Sequence, residues 1–235
     1  MKKPGKLQHA AVLFGTLFLC AVWLLLYVRH AERAVQTFSA AQRPTLVIDA
    51  GHGGIDSGAV SLDGTRESDI NLAIALRLES IVRFCGQKTV MTRWDDSSKT
   101  DILSYSERED LKQRCAIANS TADAVLVSIH QNDYPTDQPR GAQVLYSAYA
   151  GSEVLGNLIQ GNLIAQLDPS NRRLAVPAPG KLYMTANTRC PAVLVECGFM
   201  SNNFEVLKLK EERYQTALAA VIAASFQQYI NDQTV

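Results

Sequence analysis

Residues 192–199 read AVLVECGF. Ala192, Val193, Leu194 and Val195 form the continuous apolar run of a strand buried on both faces inside a parallel sheet. The run stops on a carboxylate, Glu196, with Cys197 and Gly198 behind it. A charge at the edge of a core costs on the order of several kcal/mol unless it is paired, hydrogen-bonded or metal-linked. Two other stretches are built alike: TLVIDAGHGG from Thr45 and AVLVSIHQN from Ala124. Each is a short apolar run, then a polar group, then a turn-former.

Helical patterns lie between these runs. Ile70, Ala73, Ile74 and Ile81 share one face, with Ser68 or Asp69 as candidate caps. Residues 104–120, SYSEREDLKQRCAIANS, align Leu111, Cys115 and Ala118 and end near Asn119. Residues 152–167 carry helical spacing through Leu155, Leu158, Ile159, Leu163 and Leu167, and residues 205–230 read as one closing helix. QKTVMTR (87–93) and AQVLYSA (142–148) read as short strands. Alternation of this kind predicts an α/β fold: a single domain, mostly parallel sheet, with helices on both faces.

A different composition precedes it. From Ala10 to Val28 the chain carries no charge over 19 residues, with Lys2, Lys3 and Lys6 before the stretch and Arg29 and Arg33 after it. That length spans a bilayer as a helix, and the basic amino terminus favours the inside. The expected organisation is a cytoplasmic tip and membrane-anchor helix at 1–30, a linker at 31–43 and an outer domain at 44–235. A cleaved signal is the competing reading of the first segment. From Gln42 onward, 18 basic residues face 22 acidic ones, a net charge of −4 that argues against nucleic acid as a partner. Cys85, Cys115, Cys190 and Cys197 are scattered, without a C-x-x-C pair, and are expected as free thiols.

In open α/β sheets, ligands sit beyond the carboxyl ends of the strands. Asp49, His52, His130 and Glu196 all fall there. The chain has four histidines, and His9 and His30 belong to the first segment, so the domain's only two both occupy strand ends. Two imidazoles and one carboxylate make a catalytic zinc set with an open position. Asp49, Asp56, Glu67, Asp69 and Glu196 are all candidate carboxylates, and spacing alone does not choose among them.

LVIDAGHGGIDSGA, RESDINLAIAL, VSIHQN and PAVLVECGFMSN, in that order, resemble the zinc-dependent N-acetylmuramoyl-L-alanine amidases of the type 3 family. The resemblance runs from about Pro44 to Ile230. It implies zinc as the cofactor, His52, Glu67 and His130 as its ligands, and Glu196 as the catalytic residue. It further implies a peptidoglycan hydrolase cutting between N-acetylmuramic acid and L-alanine at the outer face of the cell membrane. A protein activator is left open. The anchor and the segment NRRLAVPAPGKLYM are closer to the spore-cortex, germination-specific subgroup. The family's basic residue before the last strand is Ala186 here, with Lys181 and Arg189 nearby, and Asp133 and Tyr134 follow the second histidine. The rival readings are a zinc peptidase acting within the stem peptide, a non-catalytic wall-binding module and a purely structural protein.

Overall fold

The three apolar runs lie side by side. β1 (Thr45–Ala50), β3 (Ala124–Asn132) and β6 (Ala192–Phe199) are the centre of a six-stranded sheet. With β2 (Thr89–Met91), β4 (Gln143–Tyr146) and β5 (Val176–Pro177), the order is β2-β1-β3-β6-β4-β5. The computed structural model describes residues 15, 18–25, 43–100 and 104–232.

The sheet is mostly parallel, as expected, with one antiparallel pairing that makes it mixed. β1, β2, β3 and β6 are parallel, but β4 runs antiparallel to β6, and β5 follows β4. Residues 133–142, between β3 and β4, hold no helix. A parallel return needs a crossover of a dozen or more residues, usually helical, so a shorter link brings the chain back reversed.

Strand periodicity sorts the side chains onto two faces. Leu46, Ile48, Val125, Val127, Ile129, Val193 and Val195 enter the larger core. It is completed by α1 (Glu67–Phe84), α3 (Ser152–Leu167) and α6 (Glu212–Asp232), with Val206 and Leu209 added to them. Val47, Leu126 and Ala192 point the other way, toward α2 (Glu107–Ser120) and the short α4 (Tyr183–Asn187). That second cover is smaller. Continuing along the same face by steps of two reaches Asp49 on β1, Ser128 and His130 on β3, and Leu194 and Glu196 on β6.

Several local expectations change. Neither Ser68 nor Asp69 caps α1; it starts at Glu67, and its first amides donate to loop carbonyls, Glu67 to Ala59 at 2.9 Å and Ser68 to Ser57 at 3.0 Å. The closing helix is two helices, because the backbone at Glu211 is extended. α5 (Asn203–Lys210) is capped by Asn202, which accepts from the Phe204 and Glu205 amides. The Gln215 side chain covers the broken end by donating to the Leu209 carbonyl at 2.8 Å. The strand expected over 87–93 is shortened to Thr89–Met91, since Thr92 and Arg93 turn inward toward the end of β1.

The cysteines are free, Cys85 exposed and Cys115, Cys190 and Cys197 buried. Burial pushes Cys115 up to about 12 and Cys190 up to about 11, so these thiols stay protonated and unreactive.

The chain divides into two units, Met1–Gln42 and Arg43–Val235. In the first, residues 18–25 are helical and exposed. Among the described residues no helix is long and apolar enough to cross a membrane, and most of the apolar stretch at 10–28 lies outside them.

Candidate metal centre

Past Ala50 the chain keeps one more sheet bond, Gly51 donating to the Ile129 carbonyl at 3.0 Å, and then turns sharply. His52 adopts φ 60°, a left-handed conformation uncommon for a residue with a side chain. The turn is closed by paired backbone bonds between Gly53 and Asp56. Gly51 has to be a glycine, because a Cβ there would stand 2.3 Å from the His130 ring. Gly58 is constrained in the same way: at φ 62° its Cβ would meet Glu67 Oε2 at 2.6 Å and the His52 ring at 2.8 Å.

The result is convergence. One ligand atom each from His52, Glu67 and His130 lies within 4.8 Å of the others, the group of this kind found among the described residues. Glu67 Oε1 is 3.1 Å from His130 Nδ1 and 3.3 Å from His52 Nε2. Ligand atoms around a tetrahedral zinc with bonds of about 2.0–2.1 Å stand roughly 3.4 Å apart. The donor set therefore fits a zinc-sized ion. His52 Nδ1 lies 2.7 Å from Asp56 Oδ2, which holds the ring with Nε2 toward the centre.

Glu67 is buried, and both its oxygens are held. The Gln131 amide and the Asn71 side chain donate to Oε1 at 3.0 and 3.1 Å, and the Ala59 amide donates to Oε2 at 3.0 Å. Burial opposes its charge, but the bonds to His130 and His52 hold it well below the usual carboxylate range. Burial likewise works against a charged His52, yet Asp56 and Glu67 raise it to about 10.

Glu196 is not at a strand end, as the sequence had implied. β6 continues to Phe199, and Glu196 pairs in register with His130 on β3, placing both on the open face. Its Oε2 is buried with no hydrogen-bond partner. Burial, opposed by His130 and aided by Glu67, pushes its carboxyl up to about 7.

The other candidate carboxylates stand apart from the cluster. Asp69 is exposed beside Arg66, and Asp56 serves His52. Asp49 does not join the metal cluster. It is buried against Arg114 at 3.0 Å and accepts from Thr92 and Ser128 at 2.7 and 2.6 Å. Burial opposes its charge, but these partners lower it to about 2. Sequence reasoning assigned no site role to Arg93, Arg114, Asn71 or Gln131. An arginine in a helix or a strand-end segment carries no local signal that it will be buried.

The cleft above the cluster has a volume of about 280 Å³. Glu107, Asp133, Lys181 and Tyr183 contribute to its walls. Ala186 and Arg189 line other surface hollows, and Tyr134 lines a neighbouring groove with Asn132, Arg173 and Phe199.

Two imidazoles and a carboxylate on one centre, beside an unpartnered carboxyl, are the equipment of a hydrolase. Residues 46–228 match the family described as N-acetylmuramoyl-L-alanine amidase (Amidase_3), and the chain belongs to that family. It is a peptidoglycan amidase. It is 33% identical over 193 residues to the germination-specific N-acetylmuramoyl-L-alanine amidase of Bacillus subtilis, covering 80% of each chain. Among solved structures, the CwlD amidase of Clostridioides difficile, determined in complex with the GerS lipoprotein, is similar with a TM-score of 0.75 and 36% identity. That similarity covers 80% of this chain and 98% of that one. An N-acetylmuramoyl-L-alanine amidase from Clostridium difficile 630 follows at 0.71 and 31%, covering 81% and 98%.

Proposed function

We propose that His52, Glu67 and His130 hold a zinc ion and that Glu196 is the catalytic residue hydrolysing the amide between N-acetylmuramic acid and L-alanine. The observation that carries this reading is the placing of Glu67 Oε1 at 3.3 and 3.1 Å from one nitrogen of each histidine. Zinc bound there supplies a Lewis acid for the scissile carbonyl and a water acidified toward a pKa of ~7. The rest is done by the chain.

Glu196 takes the proton of the attacking water on Oε2 and delivers it to the departing L-alanine nitrogen, acting as base and then as acid. No protein donor competes for that oxygen. Asp56 accepts from His52 Nδ1 and so commits Nε2 to the metal. Gln131 and Asn71, donating to Glu67, fix the orientation of its carboxylate. The test is mass spectrometry of muropeptides after digestion of purified peptidoglycan with the zinc-loaded protein. Free stem peptides beginning at L-alanine are expected, and a chelator should abolish their release. Cleavage inside the stem would establish the peptidase reading, and no cleavage the wall-binding one.

The wall acted on is the spore cortex in this reading, on the strength of the likeness to the B. subtilis germination-specific amidase. The apolar stretch 10–28 and the basic amino terminus support an uncleaved anchor with the domain outside the membrane. Amino-terminal sequencing of the membrane-associated protein should then find the chain intact from its start. A mature chain beginning near Ala41 would sink the anchor.

A further inference from the structure

We infer that Arg93 and Arg114 are positioning residues for the metal centre: together they hold the backbone of residues 50–52, which presents His52, and tie it to the first turn of α1, which presents Glu67. The inference rests on the metal reading above. Three successive carbonyls in this turn end on these two guanidinium groups. The Ala50 carbonyl accepts from Arg93 Nε at 2.8 Å and from Arg114 Nη1 at 2.7 Å. The Gly51 carbonyl accepts from Arg93 Nη2 at 3.0 Å, and the His52 carbonyl from Arg114 Nη2 at 2.8 Å.

Arg93 does more than stabilise the turn. Its Nη2 also donates to the carbonyl of Ser68 at 2.8 Å, one residue past Glu67. One nitrogen thus bridges the two segments that carry two of the three ligand candidates. Asn71 makes a parallel link, donating to the Gly51 carbonyl at 3.2 Å and to Glu67 Oε1 at 3.1 Å.

Both arginines are 1% exposed, and their charges are handled differently. Arg114 is balanced by Asp49 and Asp110. The hydrogen bonds of Arg93 go to carbonyls alone: Ala50, Gly51, Ser68 and Asp95. Burying a guanidinium against carbonyls is a costly way to fill a core, which apolar side chains do better. What it provides is a rigid planar fork with several donors in fixed directions. The left-handed φ of His52 needs such a hold, since strained residues persist only where their surroundings over-determine them.

Lysine replacements test this, because they keep the charge but lose the fork. The full-length protein would be compared as wild type, Arg93→Lys and Arg114→Lys, with Ile222→Val as a control in the larger core, away from the cleft. Zinc affinity would be read by competition with a chromophoric chelator, folding by circular dichroism, and kcat and KM at saturating zinc. Both lysine variants should fold yet bind zinc roughly 10–100-fold more weakly, the usual cost of losing an outer partner of a metal site. Their kcat should fall with KM little changed, while the control loses stability and keeps its zinc affinity. Folded lysine variants with wild-type zinc affinity and kcat would overturn the inference and leave the arginines as core supports. If Arg114→Lys fails to fold, Arg93→Lys decides alone, since its loss leaves no carboxylate unpaired. A wild-type protein that binds no zinc would overturn the metal reading and this inference with it.

Discussion

Glu67→Gln should lose its zinc while keeping its fold. The substitution preserves shape and removes charge, and it places an amide where only acceptors now stand. Oε1 receives the Gln131 amide and the Asn71 side chain, and Oε2 receives the Ala59 amide. Whichever way the new side chain is turned, its NH₂ meets a donor on one side or the metal position on the other. Zinc affinity should fall by more than the roughly 10–100-fold that follows loss of an outer partner. Metal content after gel filtration, with circular dichroism as the folding check, measures it. A variant that kept one zinc per chain would remove Glu67 from the ligand set and make Asp56 the next carboxylate to replace. Activity alone is the weaker readout, because misplaced metal and absent metal both abolish it.

The parts of this site that could be read from the sequence are those written in local pattern. An apolar run followed by a polar residue placed His130 and Glu196 near strand ends, and period-2 alternation puts them on one face whatever the strand's length. The scarcity of histidine narrowed the metal candidates. Choosing Glu67 from five carboxylates required either a resemblance or the folded chain, because Glu67 meets His130 across 63 positions of sequence. The arginines were illegible for the same reason: Arg93 and Arg114 find their carbonyl partners 42 to 64 residues away, except at Ser68 and Asp95. The reversal of β4 was missed because an apolar strand has no direction in its composition. The break at Glu211 has no glycine or proline to announce it and shows only in the backbone and in Gln215 folding over the Leu209 carbonyl.

His130→Ala and Glu196→Gln should fail for different reasons, although the two residues are register partners on adjacent strands. His130→Ala removes a ligand candidate, so zinc should be held far more weakly and hydrolysis lost with it. Glu196→Gln leaves His52, Glu67 and His130 untouched. Its amide fills the space of the carboxyl and has no protein partner to offend, since Oε2 makes no hydrogen bond. Zinc should stay near one per chain. What is lost is the proton acceptor, and hydrolysis should fall by roughly 10²–10⁴, the usual worth of general acid–base catalysis. Metal content and release of stem peptide from purified peptidoglycan, measured on the same preparations, separate the two. Loss of zinc from Glu196→Gln would make Glu196 a ligand and displace Glu67. Normal digestion by both would leave the buried carboxyl without a catalytic task. In that case its unpartnered oxygen, held on the open face beside two imidazoles, would need another explanation. The expected split, metal retained and turnover gone, follows from the one feature that sets Glu196 apart from Glu67: three donors hold the carboxylate of Glu67, and none holds Oε2 of Glu196.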